Sequence, residues 1–425
     1  WTFAAAPNTT PKITQYTYDK AGRRTQQVVD PGSGHLNLTT QYFYDKDGNV
    51  VRKIDANNQT WRTVYDADNR ARYTIDPAGD VVENDYDAGG RLTRTVQYAT
   101  PLTGTQLSGL SDTSTVANVA ALLPANPSST TDRISWNVYD GDNRLVYSVD
   151  AAGDITGYTY DNAGRVTDTL RYANRVTTAN LATLATVKAA GVAQLGIVAS
   201  PSADRNSYAV YDAAGRAVYS VDALNHLTQN FYDGNGNLVQ ARQYNNTLPT
   251  GTATTKAAID AAVAVAGFVD NTRDRLSYYV YDSANRQRYT VRTINTTVSG
   301  GNLTQTVYVT QTNYDGVGRV TDSYRYAKQM TLTVAASGSP SLATMNTLVG
   351  AAANQDSTND QHDHSQYDGA GRLQVFADAG GYTQSYTYDG LGNKKTYTNQ
   401  NNVTWTYTYD AAGRLSEQDS PQTTL

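Results

Sequence analysis

Few residues in this chain could carry chemistry. It has four histidines, no cysteine, and 37 aspartates against two glutamates, Glu83 and Glu417. Without cysteine there is no thiol nucleophile, disulfide or thiolate metal site. His362 and His364 flank Asp363; on a strand, residues i and i+2 share a face, so both imidazoles could ligate one metal ion. The sequence shows no third ligand, so the pair is a weak metal candidate beside the plainer reading of two exposed strand residues. Paired aspartates can perform acid–base hydrolysis, but the same Asp recurs in every copy of a repeat, and one turn role explains all copies together. The arginines that follow could bind anions or stack on a tyrosine of the neighbouring unit. The 33 tyrosines could build a packed yet wettable wall, or present rows that hold glycans. There is no phosphate-binding Walker loop, no Gly-x-Ser-x-Gly elbow and no His-Glu-x-x-His pair. Gly234-Asn235-Gly236 is a repeat turn. We therefore expect no enzyme and no cofactor.

The elements that position these residues follow from composition. Of the basic residues nine are Lys and 25 Arg. Glu and Lys suit exposed helix faces, whereas Asp, Asn and Gly suit turns, and Tyr and Thr suit strands. The 425 residues thus predict a turn-rich β protein. A net charge of −5 argues against a dedicated nucleic-acid surface. No apolar run approaches the roughly 18–20 residues of a membrane-spanning helix.

Tyr-Asp recurs thirteen times, with Asp at 19, 45, 66, 87, 140, 161, 212, 233, 282, 315, 368, 389 and 410, and six of the intervals are 21 residues. Three residues after each Asp stands Gly, or Asn at 69, 143 and 285; the next residue is Arg in ten copies and Asn in three. Representative units are Tyr18, Asp19, Gly22, Arg23; Tyr65, Asp66, Asn69, Arg70; Tyr211, Asp212, Gly215, Arg216; and Tyr409, Asp410, Gly413, Arg414. Gly and Asn enter the left-handed region most readily, so the unit reads as a tight hairpin loop opened by Asp and closed at positive φ. A second turn follows about ten residues later, as at Asp55, Asp76, Asp150, Asp222 and Asp378. Two turns and two strands of about six residues fill each repeat, giving an up-and-down meander.

Four insertions interrupt the array, near 100–131, 173–203, 246–273 and 328–359. Each begins after a Tyr (Tyr98, Tyr172, Tyr244, Tyr326) and ends at an Asp (Asp132, Asp204, Asp274, Asp360). Apolar spacing predicts a short amphipathic helix in each, over 106–123, 179–195, 254–268 and 341–351. Between Asp282 and Asp315 we expect only a longer second turn, around 295–302.

The thirteen Tyr-Asp-x-x-Gly-Arg units resemble the YD-repeat, or RHS-repeat, family across nearly the whole chain. The resemblance implies a mainly β fold, a long antiparallel meander spiralling into a hollow shell or tube, as in bacterial polymorphic-toxin shells, insecticidal toxin cocoons and teneurin-type barrels. It also implies a non-catalytic structural role in a secreted or cell-surface protein. The implied partners are further repeats of the same or identical chains, an enclosed toxin domain, or a glycan or protein receptor. The alternative it allows is an adhesin using a Tyr-rich surface. No Pro- and Gly-rich core-associated segment like that of encapsulating members stands before Leu425; Asp30-Pro-Gly and Asp76-Pro-Ala-Gly are second turns of repeats. Beginning at Trp1 and ending at Leu425, the chain reads as an internal piece of a longer polypeptide.

Overall fold

A computed structural model describes residues 12–128, 130–176, 200 and 202–420. Among them are 27 strands, all paired antiparallel, and each repeat contributes two. The predicted meander is present, and it closes on itself. Strand Lys12–Tyr18 pairs with strand Leu415–Ser420, with Gln15 opposite Glu417. Twenty-six strands form this ring. The remaining one, Met330–Ala335, lies beside it on an extension of strand Asn302–Tyr314.

Because the chain reverses after every strand, all thirteen Tyr-Asp turns lie at one rim, and the second turns and insertions at the other. At each Tyr-Asp turn the register shifts, as between Thr17 and Tyr18 or Val210 and Tyr211. The shift is a bulge, which strengthens local twist and bends the strand. Thirteen bulges in one position bend the sheet repeatedly in one sense, a geometry suited to closure.

The two faces of the sheet differ. One carries Tyr18, Tyr65, Tyr211, Tyr409 and their equivalents. The other carries every described α-helix. These are α1 (Gly104–Ser108), α2 (Val116–Ala120), α3 (Lys256–Val263) and α4 (Leu342–Gly350). Beneath them are three separate apolar clusters, each built from strands close in sequence. Val64, Ile75, Val96, Ile134 and Trp136 meet Val119 of α2; Val210, Tyr219 and Leu227 meet Ile259 of α3; Leu276, Tyr278, Val291 and Val307 meet Met345 of α4. Among the described residues no cluster joins opposite sides of the ring. The accessible surface is 23955 Å², against roughly 16,000 Å² for a compact protein of this mass.

Three expectations need correction. The single helix over 106–123 is two short helices. Gly109 ends α1, and Thr103 and Thr115 each start a helix with a capping box, so the segment between them turns. The helix over 254–268 stops at Val263, short of Gly267, whose φ is +86°. The expected long turn over 295–302 is mostly strand: Gln287–Ser299 and Asn302–Tyr314 form a hairpin of 13 residues each, reversed at Gly300 and Gly301. Its alternating Thr and Val suit a strand. The fourth insertion holds α4, capped by Ser341; the helix expected over 179–195 lies outside the described residues.

Candidate functional site: a Tyr-Asp-Arg belt at one rim

The turn begins with the Asp amide donating to the carbonyl four residues on, while the Gly or Asn amide donates back to the Asp carbonyl, 2.9 and 3.0 Å in the copy at Asp19. Asp19 Oδ1 accepts the amides of Ala21 and Arg23, both at 2.9 Å, and Oδ2 accepts Arg23 Nε at 2.7 Å. Asp66 holds Arg70 and Asp410 holds Arg414 in the same way, each through Oδ2 at 2.7 Å; for Asp212 and Arg216 the distance is 2.8 Å. Where the sequence has Asn, as at Asn49, its amide takes the place of the guanidinium at 2.9 Å. The closing residue is left-handed throughout, with φ of 76–93° at Gly22, Gly215, Gly413 and the other glycines and 57–66° at Asn69, Asn143 and Asn285.

These contacts hold all thirteen carboxyls below the ordinary Asp range. For Asp212 the Arg216 amide is the larger cause and its guanidinium the next; for Asp410 the Arg414 guanidinium leads. At Asp45 and Asp66 burial pushes the other way and is outweighed.

The turns are then tied to one another. Each of the ten Arg guanidiniums lies 4.4–5.0 Å from the ring of the next unit's Tyr. Twelve of the thirteen Tyr hydroxyls donate to a backbone carbonyl of the preceding unit, among them Tyr65 to Val50 at 3.3 Å, Tyr211 to Val166 at 3.0 Å and Tyr409 to Lys394 at 2.9 Å. The belt crosses the seam without a change of pattern: Arg414 lies over Tyr18 at 4.8 Å, and Tyr18 donates to the Leu415 carbonyl at 2.8 Å. Such contacts are worth about 0.5–1 kcal/mol each where exposed, so the belt acts through its repetition.

At the other rim the insertions are clasped by the residues that bound them. Asp132, Asp204, Asp274 and Asp360 each accept, through Oδ1, the amide just after the leading Tyr, that of Ala99, Ala173, Asn245 or Ala327, at 2.7–2.9 Å. Leu102 donates to the Gly79 carbonyl at 2.8 Å, and a Cβ on Gly79 would fall 2.3 Å from the Leu102 carbonyl oxygen. The sequence marked where the insertions begin and end but not this contact, which joins residues of different turns.

Of the histidines, His35 braces Asp30 at 2.6 Å and His226 braces Asp222 at 2.9 Å, within their own turns. His362 and His364 share a face as expected, and Asp322, which sequence reasoning missed, joins them. His362 Nε2 lies 2.9 Å and His364 Nδ1 2.8 Å from Asp322 Oδ1. Asp322 stands on the preceding ring strand, 40 residues away; the only signal for it was the strand register.

No family model matches the chain, and no curated protein matches it in sequence. Solved structures do resemble it in shape. The TcdB2-TccC3-Cdc42 crystal structure is 15% identical, covers 95% of this chain and has a TM-score of 0.44. The TcdB2-TccC3 crystal structure is 14% identical over 95%, with a TM-score of 0.27. The Photorhabdus luminescens Tc holotoxin pore, bearing a TccC3 substitution, is 14% identical over 95%, with a TM-score of 0.23. The chain spans less than a third of those chains, 19%, 28% and 24% respectively. The likeness is loose and is one of shape.

Proposed function

We propose that this chain is a non-catalytic wall: a closed β ring within a secreted or surface-exposed repeat protein, whose lumen encloses a polypeptide cargo such as a toxin domain. One observation carries the reading, the closure of 26 strands around a ring that no apolar cluster bridges among the described residues. At about 4.8 Å per strand and a tilt near 40°, such a ring is roughly 50 Å across at the backbone. The thirteen repeated aspartates are consumed in turns. The belt carboxylates are ion-paired or amide-bonded to their own turns; twelve of the thirteen belt tyrosines have committed hydroxyls, and ten carry a guanidinium over the ring. That disposition supports a wall over a glycan-gripping surface. The repeat strands run mostly five to seven residues, short of the about 9–11 that cross a bilayer, and no helix among the described residues is long and apolar enough to span one.

Electron cryomicroscopy of the natural full-length polypeptide tests the reading. Density for a separate folded or threaded segment inside the ring is the expected result. An empty or collapsed ring, together with saturable binding of the chain on a glycan array, would replace the wall with an adhesin.

A further inference from the structure

We propose that Asp322, His362 and His364 form a site for a divalent transition-metal ion of the Zn2+ type, on the helix-bearing face of the barrel. The register places them. Asp322 stands opposite His364, and Tyr324 opposite His362, on neighbouring ring strands. One carboxylate oxygen and one nitrogen from each ring lie within 4.8 Å of one another. Both nitrogens converge on the same oxygen, at 2.9 and 2.8 Å. Ligands about 2.0–2.2 Å from a tetrahedral Zn2+ stand roughly 3.3 Å apart, so small shifts of these side chains seat an ion.

The rings are held in place before any ion arrives. Tyr324 stacks on His362 with centroids 4.2 Å apart and planes 5° from parallel. The Gln366 amide lies 3.3 Å from His364 Nε2, the nitrogen that faces away from Asp322. That contact holds the His364 ring from the side away from Asp322.

The fold does not require these residues. The matching positions after the first insertion are Ile134 and Trp136, and after the third Leu276 and Tyr278; all four are buried core. After the second they are Asn206 and Tyr208. Only the fourth copy has two imidazoles here, and only there does each reach the carboxylate opposite. The three ligands are half-exposed or less, with side-chain accessibilities of 42%, 37% and 19% for His362, His364 and Asp322. Three protein ligands leave the fourth position to water.

The test uses the full chain, stripped with chelator, titrated with Zn2+ by calorimetry and with Co2+ by visible absorption. One ion per chain is expected, with tetrahedral Co2+ bands. His362→Ala/His364→Ala abolishes saturation. Asp322→Asn weakens binding by more than the roughly 10–100-fold lost with an outer-shell partner. His226→Ala leaves binding unchanged. Circular dichroism of the metal-free variants, matching that of the parent, shows that the loss is not unfolding. Absence of saturable binding by the parent chain, or equal binding by the double variant, overturns the proposal.

Discussion

The helix-covered and helix-free sectors of the ring are built from the same repeat and held by different forces. Every buried apolar residue described lies between Val64 and Val349, the stretch that carries the insertions. On either side of the seam, 12–54 and 361–420, no apolar residue is fully buried. There Tyr386, Tyr397 and Trp405 stack across three strands with centroids 5.2 Å apart. Lys394 lies over Tyr407 at 4.2 Å, and Arg24 over Tyr42 at 4.7 Å. The other face of this sector is threonine, with Thr404, Thr406 and Thr408 exposed. The repeat alone therefore specifies turns, register and curvature, but a two-strand unit of this size buries little. The insertions supply the core, and the seam depends on hydrogen bonds and ring stacking.

The largest test of that contrast is at the third clasp. Asp274 is fully buried against Arg242 at 2.8 Å, so Asp274→Ala leaves a buried cation unpaired and should cost about 3–5 kcal/mol. Asp132→Ala, at the more exposed first clasp, should cost far less, about 1 kcal/mol. Chemical denaturation of both reads the difference, and equal losses would mean that burial does not set the strength of these clasps. Next, Ile259→Ala should lose about 2–5 kcal/mol, because Ile259 is fully buried on the sheet-facing side of α3. Tyr397→Ala in the seam removes stacked but half-exposed area and should lose nearer 1 kcal/mol. If the seam variant is the more damaging, the assignment of the core to the insertions fails. Native-state hydrogen exchange should likewise show the strands at 12–54 and 361–420 opening before those under the helices.

Gly215 tests the belt itself. Its φ is +83°, and a Cβ there falls 2.6 Å from Arg165 Nη1. Gly215→Val should cost about 1–2 kcal/mol in thermal or chemical unfolding. Gly215→Asn should cost little, because Asn143 occupies the same corner and accepts Arg91 Nη1 at 2.6 Å. Smallest per residue is the acid response. The belt carboxyls have folded pKa values below their unfolded value of about 3.9. The stability they lend is complete above that pH and lost as pH falls through the folded values. Unfolding midpoints followed from pH 6 downward should fall in both sectors alike, since the belt runs through both.

Local features were legible and non-local ones were not. Asp19, Gly22 and Arg23 announce their turn because all its hydrogen bonds fall within five residues. The contact of Leu102 with Gly79, the pairing of Asp322 with His364, and the 13-residue hairpin arms depend on which strands meet, and no short pattern records that. Closure is the extreme case. Each unit specifies only its neighbours, and the meeting of strand Lys12–Tyr18 with Leu415–Ser420 is the sum of every twist and bulge between them.

That meeting can be tested directly, because the chain has no native cysteine. Gln15 and Glu417 stand opposite each other, and Gln15 Nε2 donates to Glu417 Oε2 at 2.9 Å. A Gln15→Cys/Glu417→Cys variant, oxidised at low concentration, should form an intramolecular disulfide in nearly every monomer. Free thiols, or disulfides found only between chains, would contradict a ring that closes on itself.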